Sequence, residues 1–330
     1  MFKIIQNNDL FKQVVEDTSN QKKIHQALIE KDFWVCLNLY YFFNHCEYSK
    51  YFAFTGGTSL SKTCDCIKRF SEDIDIVLDY HVLGITDEML NTKGVNARDR
   101  LIKKIRLLTD EFITNKIIPL WTDGLKKLLG KDFDFRIVKD GKNLLFYYPN
   151  IYETNYVKPY VIVQFTSLAS MYPYTKGKVN SYIGQIYPSL FKEKDIDVRV
   201  VCFERLFWDK VSILHCESNR PKDKHLLDRS ARHYYDLYCM CHYKDIKEKA
   251  MINKDKLLTE VIKLRLQFYP YNWAKYGECL TDKVKLIPPK YNLKKFEEDY
   301  KHMEVMFFDK HPSFKNIIAY LTKLEKEINK

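Results

Sequence analysis

Glycine is scarce in this chain, with 10 residues in 330, against an average usage of about 7%. The longest apolar run, Trp34–Phe43, is interrupted by Asn38 and falls short of the ~20 residues that a membrane-spanning helix needs. The start of the chain lacks the apolar segment of a signal peptide. We therefore expect a cytoplasmic protein that does not cross a membrane.

The nine cysteines form no Cys-x-x-Cys pair and no series with zinc-finger spacing. We interpret them as the reduced thiols of a cytosolic protein. A zinc site at Cys239, Cys241 and His242 is the weaker alternative.

Positive charge is in excess, with 54 Lys and Arg against 43 Asp and Glu and a formal net charge of +11. A basic surface favours a polyanionic partner such as nucleic acid or a nucleotide, although lysine-rich composition also arises from genome bias. Hydrophobic residues make up 46% of the chain. This supplies enough apolar material for a folded core and excludes intrinsic disorder.

The hydrophobic pattern predicts a mixed first part, residues 1–203, with an N-terminal helix, and a helical second part, residues 204–330. In the first part we expect helices at 21–46, 58–67 and 96–129, and strands at 51–54, 72–80, 132–138, 143–148, 158–166, 181–187 and 196–203. In the second part we expect helices at 204–217, 226–243 and 253–268, with one or two more in 293–329.

The pair Gly56-Gly57 is informative in a chain with so little glycine. It separates a β-prone run from Thr58-Ser59-Leu60-Ser61-Lys62, where Thr58 or Ser59 suits a helix N-cap. Glycine lets the backbone approach a ligand closely, and the N–H groups at a helix start favour anions. The pattern is typical of a triphosphate cradle, although the spacing of a Walker P-loop is absent.

Asp73 and Asp75 alternate with apolar residues, so on a strand both carboxylates share one face. Such a pair suits Mg²⁺, and two metal ions can support in-line phosphoryl displacement. The same alternation recurs at Asp132-Phe133-Asp134 and Asp195-Ile196-Asp197, so by itself it fits a solvated strand face as well. The glycine turn shortly before Asp73 makes the combination specific, and it predicts nucleotidyl transfer.

The segments Gly56–Lys62 and Arg69–Asp75 resemble the first motif of the AbiEii/AbiGii-type nucleotidyltransferases, toxins of type IV toxin–antitoxin and abortive-infection systems. Glu30–Trp34, Glu204–Lys210 and Arg229–Tyr238 are similar to further segments of the family, in the same order. The resemblance implies an α+β protein. Its polymerase-β-like core would be a mixed sheet flanked by helices, followed by a helical C-terminal domain.

The resemblance also implies a site. Asp73 and Asp75 would hold Mg²⁺, in a two-metal arrangement. The NTP would contact Gly56, Gly57, Thr58, Ser59, Lys62 and Ser71. Lys210 would reach the phosphates or steady the nucleotide, and Asp236 would orient Lys210 or Arg232. Without the family, the sequence favours Lys210 as a surface lysine on an amphipathic helix, and Asp236 is equally an i,i+4 partner of Arg232.

Two positions depart from the family's pattern. Enzymes of this fold often take a third carboxylate from a later strand, where this chain carries Gln164, and an amide is neither an anionic ligand nor a general base. Another base, activation by the metal alone and a weakened site all stay open, with Asp197 as a substitute if its strand is adjacent. His233 stands where many relatives have Asp, and we interpret it as an altered surface residue rather than an acid or base.

A basic run lies in the second part of the chain. It comprises Arg220, Lys222, Lys224, Arg229 and Arg232. These cations could receive an RNA backbone, with Tyr234, Tyr235 and Tyr238 stacking a terminal base. The alternative is a solvated loop before a helix.

The leading hypothesis is Mg²⁺-dependent transfer of a nucleoside monophosphate from an NTP to RNA, most simply the 3′ end of tRNA. The protein would be the toxin of a pair with a cognate antitoxin. One alternative is nucleotidylation of a protein hydroxyl. The other is a catalytically degenerate nucleotide- or RNA-binding protein, which Gln164 favours.

Overall fold

The computed structural model describes residues 3–92, 94–154 and 157–330 and divides the chain into two compact units. The first unit contains Phe70–Val201 and the chain up to Cys64. The second contains Cys202–Lys330 together with the short segment Asp65–Arg69. The predicted division at residue 203 lies close to Val201, whereas the assignment of Asp65–Arg69 to the second unit has no sequence signal.

The first unit is built on a seven-stranded mixed sheet. Its strands are β1 (Phe52–Thr55), β2 (Ile74–Leu78), β3 (Arg136–Asp140), β4 (Asn143–Tyr147), β5 (Tyr160–Thr166), β6 (Tyr174–Val179) and β7 (Ile196–Val201). They lie in the order β3-β4-β5-β2-β1-β7-β6. The pairs β1/β7 and β2/β5 are parallel and the other pairs are antiparallel. The central strands β1 and β2 therefore carry the Gly-Gly turn and the two aspartates.

Helices flank this sheet. They are α1 (Asn8–Lys22), α2 (Gln26–Tyr40), α3 (Gly56–Lys62), α4 (Asp87–Leu90), α5 (Val95–Phe112), α6 (Ile118–Leu129) and α7 (Tyr182–Ile186). Helix α2 is buried from Ala27 to Leu39, including the charged residues Glu30, Lys31 and Asp32. Its Trp34 is 1% exposed and stacks on Tyr148, with 5.0 Å between ring centroids. This packing makes α2 the central helix of the unit.

Most predicted elements of the first unit are present, and the differences have local causes. The predicted helix 21–46 begins only at Gln26, because Lys23 adopts a left-handed conformation (φ 56°) that ends a separate helix α1. The predicted N-cap at Thr58 or Ser59 was wrong, since Thr55 is the N-cap of α3.

The predicted strand at 181–187 was also wrong. This segment is helix α7, and the Ser181 hydroxyl caps it by accepting from the Gly184 N–H at 2.9 Å. The strand of this region is β6, at Tyr174–Val179, which escaped prediction. As an edge strand it is mostly exposed, so its sequence lacks apolar alternation.

The second unit is helical, as predicted. Its helices are α8 (Phe203–Ser218), α9 (Arg232–Cys241), α10 (Ile246–Ile252), α11 (Lys254–Phe268), α12 (Lys290–His302) and α13 (Phe314–Ile328). Helix α8 is the core helix and packs against α9, α10 and α11. Trp208 on α8 is fully buried and donates its indole N–H to the Ala250 carbonyl at 3.0 Å.

All nine cysteines are free thiols, as predicted. Within the described ranges of the chain, no helix combines the length and the apolar character needed to cross a bilayer.

Candidate active site

Gly56 brings the turn after β1 into contact with the second aspartate. Thr55 and Asp75 are paired across β1 and β2, and Gly56 has a φ of +80°. A Cβ atom built on Gly56 would lie 2.2 Å from Asp75 Oδ2. Only glycine satisfies both the left-handed backbone and this close approach, so the turn and the carboxylate form one site.

The hydroxyls of this turn hold it in place. Thr58 Oγ1 donates to the Asp73 carbonyl at 2.5 Å and lies 2.9 Å from Ser71 Oγ. Ser59 Oγ donates to the Gly56 carbonyl at 2.8 Å. Thr58 and Ser59 are both fully buried. Their side chains therefore fix the turn against the start of β2, and a phosphate would meet the backbone of the turn.

Asp73 and Asp75 are partly exposed, whereas Ile74 and Ile76 on the same stretch are buried. This alternation places both carboxylates on one face at the start of β2. Across the described part of the chain, no group of three or more His, Cys, Asp or Glu could hold a metal ion, which also removes the zinc alternative at Cys239. A cation here would have two protein carboxylates.

Gln164 occupies the position expected of a third carboxylate. It is the partner of Asp75 in the parallel pairing of β2 with β5, and its side chain donates to Asn143 Oδ1 at 2.7 Å. Asp197 is not a substitute, because β7 pairs with β1 and not with β2. Phe54 pairs with Val200, which puts Asp197 at the opposite end of β1 from Asp75.

Three consecutive charged residues of α2 are buried behind this site: Glu30 at 0% exposed, Lys31 at 1% and Asp32 at 3%. The Lys31 ammonium pairs with Glu72, the residue before Asp73, and donates to the Lys158 carbonyl at 2.9 Å. Burial lowers the pKa of Lys31, against the attraction of Glu72. Burying an unpaired charge costs folding free energy. The Lys31–Glu72 pair avoids this cost and fixes the backbone next to Asp73.

Lys62 is held by the same helix. Its ammonium lies 2.6 Å from Asp32 Oδ1, and its side chain is 5% exposed. Burial opposes the charged form, but the attraction of Asp32 raises the pKa of Lys62 overall. The other Asp32 oxygen accepts from the Tyr182 N–H at 2.7 Å. The structure thus gives Lys62 a partner inside the protein, and its contact with a phosphate stays a prediction.

The second unit carries its own buried charge cluster. Arg69 binds Asp236 through two hydrogen bonds, Nε to Oδ1 at 2.8 Å and Nη2 to Oδ2 at 2.9 Å. Lys210 Nζ also binds Asp236 Oδ2, at 2.6 Å. Burial raises the pKa of Asp236, but the two cations hold it below its usual range. Asp236 therefore orients Lys210, one of the two roles considered for it, and Arg69 in place of Arg232.

His233 joins this cluster through Nδ1, which lies 3.2 Å from Lys210 Nζ. Desolvation and the nearby Lys210 and Arg232 charges lower the pKa of His233 well below its ordinary value. The lowered pKa favours the neutral imidazole, whose Nδ1 can accept from the Lys210 ammonium. His233 positions Lys210, which goes beyond the altered surface residue that we expected.

Only some cations of the predicted basic run are exposed and could contact an RNA backbone. Lys222 and Lys224 are exposed, whereas the Arg220 guanidinium is bound to Glu217 by two hydrogen bonds of 2.6 Å. Two of the three tyrosines predicted to stack a base do not suit that role, because Tyr234 is 0% and Tyr235 2% exposed, whereas Tyr238 is half-buried. Tyr234 packs instead against Phe296, with 5.0 Å between ring centroids.

Sequence reasoning missed the partners of the site. Lys31, Asp32 and Arg69 lay inside segments quoted for the family resemblance, yet no role was assigned to them. Their signal was the occurrence of charges within apolar or motif-bearing stretches, which indicates buried pairs. The identity of each partner is set by tertiary structure and could not be read from spacing.

The structure thus presents a glycine turn packed on a strand that carries two carboxylates on one face, an arrangement typical of nucleotide transfer. Residues 39–322 match the family model described as the nucleotidyl transferase AbiEii toxin of type IV toxin–antitoxin systems. The match covers most of the chain. The chain belongs to this family and is a nucleotidyltransferase.

Among solved structures, MenT4, a nucleotidyltransferase toxin from Mycobacterium tuberculosis H37Rv, aligns over 96% of this chain and 97% of its own, with 12% identity and a TM-score of 0.39. None of the curated proteins compared with the chain matches its sequence.

Proposed function

We propose that this toxin transfers a nucleoside monophosphate from an NTP to the 3′ end of an RNA, most simply a tRNA, in a Mg²⁺-dependent reaction. The observation that carries the proposal is the contact between the Gly56 turn and Asp75, where an added Cβ would lie 2.2 Å from the carboxylate. It joins a backbone that can accept phosphate to the residues that would hold the metal.

The residues present fit Mg²⁺. Asp73 and Asp75 supply hard oxygen ligands on one strand face, and Mg²⁺ usually binds one or two carboxylates together with substrate phosphates and water. When bound, the ion would neutralise charge on the phosphates. The protein's part is to fix the two carboxylates. Thr58 does so through the Asp73 carbonyl at 2.5 Å, and Lys31 does so through Glu72.

In the reaction, the acceptor hydroxyl oxygen forms a bond to the α-phosphorus of the NTP. The bond between that phosphorus and the bridging oxygen breaks, pyrophosphate leaves, and the hydroxyl proton passes to water. Gln164 cannot take this proton, because an amide is not a base. The work of the site is therefore positioning and charge stabilisation, which dominate phosphoryl transfer in general.

RNA as the acceptor is supported by the net charge of +11 and by the exposed cations Lys222 and Lys224 in the second unit. Lys210, held by Asp236 and His233, is a further candidate for contact with a phosphate. Family membership implies a cognate antitoxin, whose absence would leave the activity unchecked.

A labelling assay tests the proposal. The purified protein is incubated with Mg²⁺, each of four α-³²P-labelled NTPs and either total tRNA or a protein lysate. Asp73→Asn and Asp75→Asn variants run beside the wild type, with Asp134→Asn as a matched control. Asp134 stands in an exposed Asp-x-Asp repeat away from the glycine turn.

The expected result is label on RNA that disappears in the Asp73 and Asp75 variants and persists in the Asp134 variant. Label on protein alone would overturn the RNA acceptor. Label that survives both substitutions would overturn the site. Activity that is unchanged in EDTA would overturn the dependence on a divalent ion.

A further inference from the structure

Arg220 is the centre of an aromatic and cationic surface on the second unit. Its guanidinium lies 5.1 Å from the centroid of the Trp273 ring. The rings of Trp273 and Tyr271 are stacked, with 5.5 Å between centroids and 15° between planes. Tyr291 donates its hydroxyl to the Arg220 carbonyl at 2.6 Å. We call Arg220, Tyr271, Trp273 and Tyr291 the aromatic platform.

Hydrogen bonds fix the Arg220 guanidinium of the aromatic platform. Glu217 is 6% exposed and binds Arg220 through Nε and Nη2, both at 2.6 Å. Arg220 Nη1 donates to the His225 carbonyl at 3.0 Å. The Arg220 guanidinium is therefore not a mobile phosphate ligand. It is a fixed plane beside an indole ring, in an arrangement that favours cation–π stacking.

The outer side of the platform is open. Tyr271 is 51% and Tyr291 45% exposed, and Trp273 is partly exposed. Large aromatic side chains stabilise by burying their area, and tyrosine and tryptophan are enriched at interfaces. A pair of stacked and exposed rings next to a fixed guanidinium therefore indicates a binding surface.

The basic loop continues from the platform. Arg220 contacts His225, and residues 222–228 line an open groove of about 470 Å³ together with α12 residues such as Lys295 and His302. The groove also contains Asp223, Asp228, Glu298 and Asp299. Asp299 is occupied, since it accepts from the Arg229 and Ala231 N–H groups. Lys222, Lys224 and Lys295 supply its cations.

We propose that the aromatic platform and this groove bind the unpaired strand of the RNA acceptor. A base would stack on the exposed face of Tyr271, and the backbone would lie along Lys222 and Lys224. Aromatic stacking combined with backbone cations is the general mode of single-strand recognition. A duplex hides its base faces and would not use the rings. This inference rests on the proposed RNA acceptor and assigns the surface that receives it.

Trp273 gives the proposal a direct readout. The chain has four tryptophans, and Trp34, Trp121 and Trp208 are at most 1% exposed. Quenching of tryptophan fluorescence by an added RNA would therefore report on Trp273. The probe is a single-stranded RNA of ~8 nucleotides, within the usual footprint of such sites, with a duplex of the same sequence beside it.

We expect the single strand to quench the wild-type fluorescence and the duplex to leave it unchanged. Trp273→Phe should abolish the quenching while it retains binding, measured by anisotropy of labelled RNA. Tyr271→Ala should weaken binding by about 5- to 100-fold, the usual effect of losing one stacked base. Tyr243→Ala is the matched control. Tyr243 is partly exposed and lies 5.0 Å from the Lys244 ammonium, and its loss should change nothing.

Equal quenching by the duplex, or wild-type affinity in the folded Tyr271→Ala protein, would overturn the proposal. The labelling assay separates this failure from that of the proposed function. If RNA is labelled with an unchanged KM in Tyr271→Ala, the platform is wrong and the transferase stands. If the single strand quenches Trp273 but no RNA is ever labelled, the platform stands and the RNA transferase is wrong.

Discussion

Gln164 lies beside Asp75 on the neighbouring parallel strand, in direct register. Its amide donates to Asn143 on β4, the strand on the other side of β5 from β2. The site therefore offers a neutral group where a third negative charge would strengthen the hold on a cation. This relationship predicts a weaker metal site than a three-carboxylate enzyme would have.

Gln164→Glu should tighten metal binding. The new carboxylate would stand beside Asp75, and the Asn143 amide can rotate to donate to it. We expect Mn²⁺, used as a probe for Mg²⁺, to bind about tenfold more tightly in isothermal titration. Gln164→Met, which has similar size and no charge, should bind Mn²⁺ like the wild type. A Glu variant that binds no better would show that this position does not face the cation.

Asp73→Asn and Asp75→Asn should each reduce transfer by about a thousandfold, because a metal site supplies several kcal/mol of charge stabilisation. Both side chains are partly exposed, so the free energy of unfolding should change little. Label transfer and thermal unfolding measure the two effects. Asp134→Asn should leave both unchanged, and an equal loss in that control would argue against a specific role for the pair.

Gly56→Ala should damage activity more than stability. A methyl group there meets Asp75 Oδ2 at 2.2 Å, and a displacement of about 1 Å can cost about 100-fold in rate. Gly84→Ala is the matched control, because Gly84 has a φ of +73° with nothing within 4 Å of its Cβ position. Both variants should lose about 1–2 kcal/mol of stability from the left-handed backbone. Equal activities would show that the Asp75 contact is not part of the site.

Lys31→Met should destabilise the first unit by about 3–5 kcal/mol, since it leaves Glu72 buried without its cation. The double variant Lys31→Met/Glu72→Met should recover much of this loss, because it removes both charges. Urea unfolding measures each free energy. A double variant as unstable as the single one would mean that the pair contributes packing rather than charge compensation.

Glu30 should make stability depend on pH. Burial raises the pKa of Glu30 from 4.5 to about 7, against hydrogen bonds from the Ile151 and Tyr152 N–H groups. The folded protein then holds a proton that the unfolded chain releases, so this contribution is present below pH 4.5 and is lost as the pH rises to 7. The slope would reach about 1.4 kcal/mol per pH unit. Glu30→Gln should lack it, and urea unfolding at several pH values checks the difference.

The glycine turn and the two aspartates could be predicted from the sequence, because the patterns that mark them lie within a few neighbouring residues. The scarcity of glycine marked Gly56-Gly57, and strand alternation placed Asp73 and Asp75 on one face, as the burial pattern confirms. Gln164 was also named in advance as the neighbour of the pair, and the register with Asp75 confirms it.

What escaped prediction depends on contacts between distant residues. The local sequence is the same whether the Lys62 ammonium is free or bound to Asp32. Only the position of α2 distinguishes them. In the same way, Tyr234 and Tyr235 follow basic residues and resemble a stacking surface, yet the packing of the second unit buries both. The partners of charges and aromatics are properties of the folded chain.

The grouping of Asp65–Arg69 with the helical unit has a consequence for inheritance. Arg69 belongs to the same motif as Asp73, yet its guanidinium is neutralised by Asp236, far along the chain. A recombination event that joined residues 1–203 of one toxin to the second part of another would separate this arginine from the carboxylate that neutralises it. We therefore expect the two parts of the gene to be inherited together, and chimeras of two toxins to fold poorly.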